Sequence, residues 1–459
     1  MSFGISKAKQ VSSLRSEIRA LSQTPEVIRR MSRFAGWKIA AGEEGFGYRL
    51  IQCSEDVQQP RDGYYVSNLV LQGGGTLGLA HVGLIVGLEE AGFRFPAVAG
   101  TSAGAIVTIG QFALRGTSIL NPVGDRLTRL VEDMPMDTFV DGPRAIRRLI
   151  KRFAAKRSLM RLVYLPGAFM ALRHVLRFRG LNSGQVFENW LASTLTEEHV
   201  DTIESLRGRA AQIANDLSAI NHIEWASGDV SDGPAAAKAN PFLGGKSQLD
   251  PDAMIKMIAT AMPTGMKFCM PQDLHLLHHE YADISPAKMV RMSMSIPLFF
   301  EPCVLRTSKE RWKAHVYREI APFLSDKAAG EMADLQQLIF LDGGLFSNLP
   351  TDEAVKGMSP QIASISVPLV HDEASVSFQN RASIRALATD ASVLANAVRL
   401  QRDRDAHSTL IRDQPDNRRV VKIDTGRANW LNFTMSKAEK EDLYVAGLVR
   451  VRDFLNKGY

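Results

Sequence analysis

The residue best placed by its neighbours to do chemistry is Ser102, in Gly100-Thr101-Ser102-Ala103-Gly104. A serine in a GxSxG sequence between a strand and a helix sits on a strained turn. Gly100 and Gly104 are needed there because such a turn leaves no room for side chains on either side. The helix that follows aims its N-terminal N–H groups at the serine, where a developing negative charge is stabilised. A serine hydroxyl also needs a base. Asp342 ends a buried apolar run, Leu335 to Leu341, and precedes Gly343-Gly344, so the backbone can bend and another group can approach closely. Its carboxylate could take the serine proton directly. An Asp of ordinary basicity is a weak base at neutral pH, so such a pair would lean on oxyanion stabilisation and on proton transfer concerted with attack. Each motif has a plainer reading, a small-residue turn in one case and a type I turn after a strand in the other.

Three readings compete for Gly73-Gly74-Gly75-Thr76-Leu77-Gly78. Formally it contains the dinucleotide pattern GxGxxG. That reading needs an acid at the end of the next strand to hold a ribose, and Phe95-Pro-Ala-Val-Ala-Gly100 has none. A phosphate-binding P-loop is excluded because no Lys-Ser or Lys-Thr follows the glycines. The third reading is a loop whose backbone N–H groups, at the head of a helix, hold an oxyanion. A tight turn with close helix–strand packing remains the structural alternative. If the base were a histidine in the order Ser, acid, His, His371 and His407 are the candidates, and neither stands in a distinctive strand-end context. His275, His278 and His279 lack a further ligand for a metal site. No metal and no cofactor are expected.

The elements that must position these residues follow from the apolar pattern. Val66 to Leu71 reads as a strand, Leu79 to Ala91 as a helix, Ala97 to Ala99 as a strand and Ala105 to Leu114 as a second helix. This β-loop-α-β-turn-α order predicts an α/β fold with a largely parallel, buried sheet. Short strands are also expected at Gln212-Ile-Ala, Ile223-Glu-Trp-Ala, Leu335–Leu341 and Gln361–Pro368. Ser436-Lys-Ala-Glu439 is a capping box opening a final helix. Residues 1–65 are expected to form a helical extension, and 228–250, rich in Gly, Pro, Ala and Ser, a mobile loop.

Taken in order, GGGxxG, GxSxG about twenty-five residues later and a late Asp-Gly-Gly after a strand resemble the patatin-like phospholipase family, bacterial type. Leu79-Ala-His81-Val-Gly83, Glu89-Glu-Ala-Gly92, Ser295-Ile-Pro297, Asn348-Leu-Pro350 and Ile423-Asp-Thr425 are similar too, and the likeness spans about 66–455. The resemblance implies a three-layer α/β sandwich and hydrolysis of lipid acyl esters by a Ser–Asp dyad. By position, Ser102 would be the nucleophile and Asp342 the base. Gly74 and Gly75, with Gly73 and Thr76, would supply the oxyanion hole. One departure is Leu77, where the family usually has Arg or Lys. An alternative is therefore a weak or inactive lipid-binding or regulatory member; a second is a Ser-Asp-His esterase.

The chain has 459 residues with 45% hydrophobic and 23% charged, ordinary for a globular protein. Its three cysteines, Cys53, Cys269 and Cys303, are scattered, which excludes a disulfide framework and favours a reducing compartment. An uncharged run of about membrane-span length, 97–114, carries Gly100, Gly104 and Gly110 and is read as strand–turn–helix rather than a membrane span. No secretory signal is evident at the N-terminus, so a cytoplasmic protein with peripheral membrane association is expected. The net charge is +6, and residues 144–179 hold eleven Lys or Arg and no acid. Arg144, Arg147, Arg148, Lys151 and Arg152 recur at helical spacing beside apolar residues, as in an element that lies on an anionic membrane surface. The insertion is placed at about 141–180. The expected partners are an acyl-ester lipid and that surface, with no nucleic acid and with any protein activator unknown.

Overall fold

The computed structural model describes residues 5–41, 48–53, 63–144, 180–220, 222–225, 240–243, 249–281, 283–355, 362–370, 418–426 and 428–457, together with Arg147 and Arg177. The central sheet contains β1 (Asn68–Leu71), β2 (Val98–Thr101), β3 (Ile255–Met262), β4 (Met266–Met270), β5 (Cys303–Arg306), β6 (Gln337–Asp342), β7 (Ser364–Val367) and β8 (Arg418–Val420). Their spatial order is β5-β6-β3-β2-β1-β7-β8, with β4 paired to β3. From β3 to β8 every pairing is parallel, while β4, β5 and β6 join antiparallel. Every residue of β1, β2 and β7 is buried. A strand buried on both faces needs a layer of structure on each side, so the α/β class with a mostly parallel central sheet stands as the motif order implies.

The helices used below are α1 (Ile5–Ser22), α2 (Pro25–Ala35), α3 (Leu79–Glu90), α4 (Ala103–Ala113), α5 (Gly124–Glu132), α6 (Pro286–Ser293) and α7 (Lys437–Lys457). The capping box of α7 forms: Ser436 N–H donates to Glu439 Oε2 at 2.7 Å and Glu439 N–H to Ser436 Oγ at 3.3 Å. Helices α3 and α7 cross at two glycines. A Cβ on Gly83 would strike Tyr444 O, and one on Gly447 would strike Ala80 O. This crossing fixes α3, and with it the glycine-rich loop at its head.

Three expectations need correction. The N-terminal segment is helical only through α2; Trp37–Ala41, Tyr48–Gln52 and Gly63–Val66 are strands of a second, five-stranded sheet completed by Phe93–Arg94 and His222–Trp225. Trp37 and Ile39 are buried there, and β-branched and aromatic side chains suit a half-covered sheet better than a helix. The described part of this extension shares one hydrophobic core with the rest of the chain, through Val11, Leu14, Ile18 and Phe34. Gln212-Ile-Ala lies in the helix Ile203–Ser218, whose buried Leu206, Ala210, Ile213, Ala214 and Leu217 have helical spacing over a longer window. Of the expected loop at 228–250, residues 228–239 and 244–248 lie outside the described residues, but Pro241–Leu243 forms a 3-10 turn with Phe242 fully buried. Among the described residues no helix is long and apolar enough to cross a membrane.

Candidate active site

β2 delivers its last residues, Gly100 and Thr101, straight into Ser102 and the first turn of α4. Ser102 has φ 53° and ψ −116°, a conformation that side chains disfavour and that sequence-local forces alone would not hold. Its neighbours are glycines for a steric reason. A Cβ on Gly100 would collide with Gly104 O, and one on Gly104 would lie 2.5 Å from Leu71 O on β1. The turn is braced by hydroxyls: Ser102 N–H donates to Ser293 Oγ at 2.9 Å, Ser293 Oγ donates to Ile258 O at 2.5 Å, and Thr101 Oγ1 donates to Ser347 O at 2.8 Å.

β6 runs antiparallel to β3 and brings Asp342 level with Ala259, beside the end of β2. There Ser102 Oγ donates to Asp342 Oδ2 at 2.6 Å. The other carboxylate oxygen, Oδ1, accepts from Gly344 N–H at 2.7 Å, and Thr260 Oγ1 donates to Asp342 O at 3.0 Å. The carboxylate is thus oriented by its own turn and by β3. Gly343 is required because a Cβ would run into Ile258 O. Both side chains are almost fully buried, at 3% and 8% exposure. A short bond of this kind between a hydroxyl and a carboxylate strengthens as water is removed.

The glycine loop faces this pair. Gly73 N–H donates to Asn348 O at 2.9 Å and Thr76 N–H to Trp430 O at 2.9 Å, so neither is available to a bound oxygen. Among the described residues no acceptor meets the N–H groups of Gly74 or Gly75. Gly75 has φ 53°, and a Cβ there would also collide with Trp430 O. A narrow cleft lies between the loop, Ser102 and Asp342, walled by Ile296, Pro297, Leu345 and Trp430. Gly73, Gly74 and Gly75 line this cleft together with Ser102 and Asp342.

Leu77 is 1% exposed and belongs to the hydrophobic core. A cation at that place would be buried among apolar side chains, which is costly unless paired. His81, one turn into α3, is fully buried, and its Nε2 lies 2.9 Å from Gln72 O. Burial pushes its imidazole down to about 4, with the bond to Gln72 opposing. It is therefore neutral at physiological pH and does not touch Ser102. His371 and His407 lie outside the described residues. So do Arg148, Lys151 and Arg152; Arg144 and Arg147 are exposed at the start of the basic segment. His275 and His279 lie on separate short turns, not one helix face. Cys269 and Cys303 are buried, and burial pushes the Cys53 thiol up to about 11.

Reading the sequence missed Ser293, Trp430 and the carbonyl of Asn348. Ser293 stands two positions before Ser295-Ile-Pro297, and its buried place at the end of α6 is the only local hint. Trp430 lies in Ala428-Asn-Trp-Leu-Asn-Phe-Thr-Met435, a mixed run in which nothing points to the glycine loop as its partner.

The sequence model of the family described as Patatin-like phospholipase matches residues 69–355. YqhO of Bacillus subtilis (strain 168), described as an uncharacterized protein, is 28% identical over 239 residues, covering 52% of this chain. The match spans 58% of that relative's own length. The crystal structure of VipD from Legionella pneumophila aligns with 92% of this chain and 70% of that one, at 15% identity and a TM-score of 0.36.

Proposed function

Because the chain belongs to the patatin-like phospholipase family, we propose that it hydrolyses acyl esters of lipids with Ser102 as nucleophile and Asp342 as general base. The observation that carries this reading is the 2.6 Å bond from Ser102 Oγ to Asp342 Oδ2 at the floor of an apolar-walled cleft. In the first half-reaction Ser102 Oγ attacks the ester carbonyl as Asp342 Oδ2 takes its proton. The oxyanion is held by Gly74 N–H and Gly75 N–H, with the head of α4 adding its dipole. The proton then passes to the leaving alcohol. Water, losing its proton to the same carboxylate, attacks the acyl-enzyme and restores Ser102.

Two of the four loop residues expected in the oxyanion hole, Gly73 and Thr76, act in this scheme by shaping the loop. Leu77 fits an active loop as a core residue, since catalysis here draws on backbone N–H groups rather than on a side-chain cation. The exposed Arg144 and Arg147, with the basic run that follows them, would hold the enzyme on an anionic leaflet at up to about 1 kcal/mol each. The test is fatty-acid release from liposomes, with and without anionic lipid, in EDTA. Ser102→Ala should abolish release, and Asp342→Asn should lower it about 10²–10⁴-fold. Release should rise with anionic lipid. Activity that persists in Ser102→Ala sinks the mechanism.

A further inference from the structure

Leu298 combines two features that each work against stability. Its backbone has φ 66°, and its side chain is 43% exposed. L side chains rarely adopt that conformation, and glycine would take it without strain. Leu298 is nonetheless held there from several sides. It pairs in parallel register with Gly180, and Phe299 N–H and Phe300 N–H both donate to Ile296 O, at 3.1 and 2.9 Å. The Phe299 ring stacks on Phe433 with centroids 4.7 Å apart, and Asn182 Nδ2 donates to Phe299 O at 2.9 Å. Strain that the surroundings over-determine gathers at functional sites. Leu298 directly follows Ile296 and Pro297, which wall the cleft over Ser102. Phe346, 47% exposed, directly follows Leu345, another wall residue.

The size of the cleft supplies the occupant. The space at its floor is only about 20 Å³, room for about one water-sized group. The reacting carbonyl fills that space, so the methylenes of a long chain must lie outside, across the rim. We propose that Leu298 and Phe346 are the lips that carry the distal part of a long acyl chain, and that they set the chain-length preference. The proposal rests on the acyl-hydrolase reading above. Each methylene laid on an apolar side chain leaves water favourably, whereas a short acyl group does not reach the lips.

The test compares kcat/KM for p-nitrophenyl dodecanoate and butyrate in wild type, Leu298→Ser, Leu298→Gly, Phe346→Ser and Phe323→Ser. The last removes an aromatic ring that is 85% exposed and does not wall the cleft. The dodecanoate-to-butyrate ratio should fall at least about tenfold in the three lip variants and stay at the wild-type value in Phe323→Ser. Leu298→Gly should melt no lower than Leu298→Ser, because glycine relaxes the φ. An unchanged ratio in both Leu298 variants overturns the proposal, as does an equal fall in Phe323→Ser. A second arm titrates dodecanoate calorimetrically into Ser102→Ala and into the double variant Ser102→Ala with Leu298→Ser. Weaker binding in the double variant supports the lip even if wild type hydrolyses neither ester, an outcome that would sink the hydrolase reading alone. Equal binding overturns the lip.

Discussion

Ser102 keeps its left-handed backbone because hydroxyl groups from distant parts of the chain meet it. Ser293 Oγ accepts the Ser102 N–H and donates its own hydrogen bond to Ile258 O, joining the nucleophile's turn to β3. Removing that oxygen strands a buried N–H, which costs about 1–3 kcal/mol. Ser293→Ala should therefore lower the urea midpoint by that amount of free energy. It should also lower kcat more than it raises KM, since the turn holds the attacking atom rather than the substrate. A variant with wild-type kcat would show that the elbow keeps its shape without Ser293. A companion change, Gly75→Ala, places a methyl group against Trp430 O at φ 53°. It should strip most activity by turning the Gly75 N–H away from the cleft, with circular dichroism unchanged.

At the scale of elements, the glycines that let helices approach decide where the loop sits. Gly83 and Gly447 bring α3 and α7 into backbone contact. Gly447→Ala forces a methyl onto Ala80 O, and overpacking of this kind typically costs about 1–3 kcal/mol. The denaturant midpoint should fall with an unchanged m-value, and activity should fall with it, because α3 carries the glycine loop. The same contrast explains what the sequence could tell. Ser102, the glycine loop and Asp342 each sit in a short signature whose spacing reflects a turn made locally, so they are legible in line. The bond from Ser293 to Ser102 joins residues 191 positions apart, and that from Thr76 to Trp430 joins residues 354 apart. Nothing in the local pattern at Ser293 or Trp430 records such partners. Trp37–Ala41 and Gly63–Val66 were hidden for a different reason: they pair with each other and with the nearby Tyr48–Gln52, but each run is only four or five residues long, too short for an alternation to stand out. Gln212 shows the reverse error, where a three-residue apolar window was too short to reveal the helical period.

On the scale of the whole molecule, stability should depend on pH through two buried groups with opposite signs. His81 is fully buried, and its folded value is pushed down from 6.5 to about 4 by burial. Between those values the unfolded chain holds more protons than the native one, so stability rises with pH across that window and is lost on acidification. From pH 7 to pH 5 the loss from this residue is about 2 kcal/mol. Glu89 acts the other way. Burial raises its carboxyl above the ordinary range, against the N–H bonds it accepts from Val123 and Gly124 and the nearby Arg115 and Arg94. The native state there binds the extra proton, so Glu89 favours the folded form as pH falls toward 4.5. The two contributions oppose each other. His81→Gln, which retains a donor for Gln72 O, should remove the first component. Its stability should change about 2 kcal/mol less between pH 7 and pH 5 than that of wild type. His81 also spans the glycine loop, reaching from α3 back to the residue before Gly73. The bond to Gln72 O needs a proton on Nε2 in either charge state, so acid adds its proton at the buried Nδ1, and the cost is that of burying charge beside the loop rather than of losing the bond. A variant whose urea midpoints track wild type at both pH values would show that His81 does not govern acid stability.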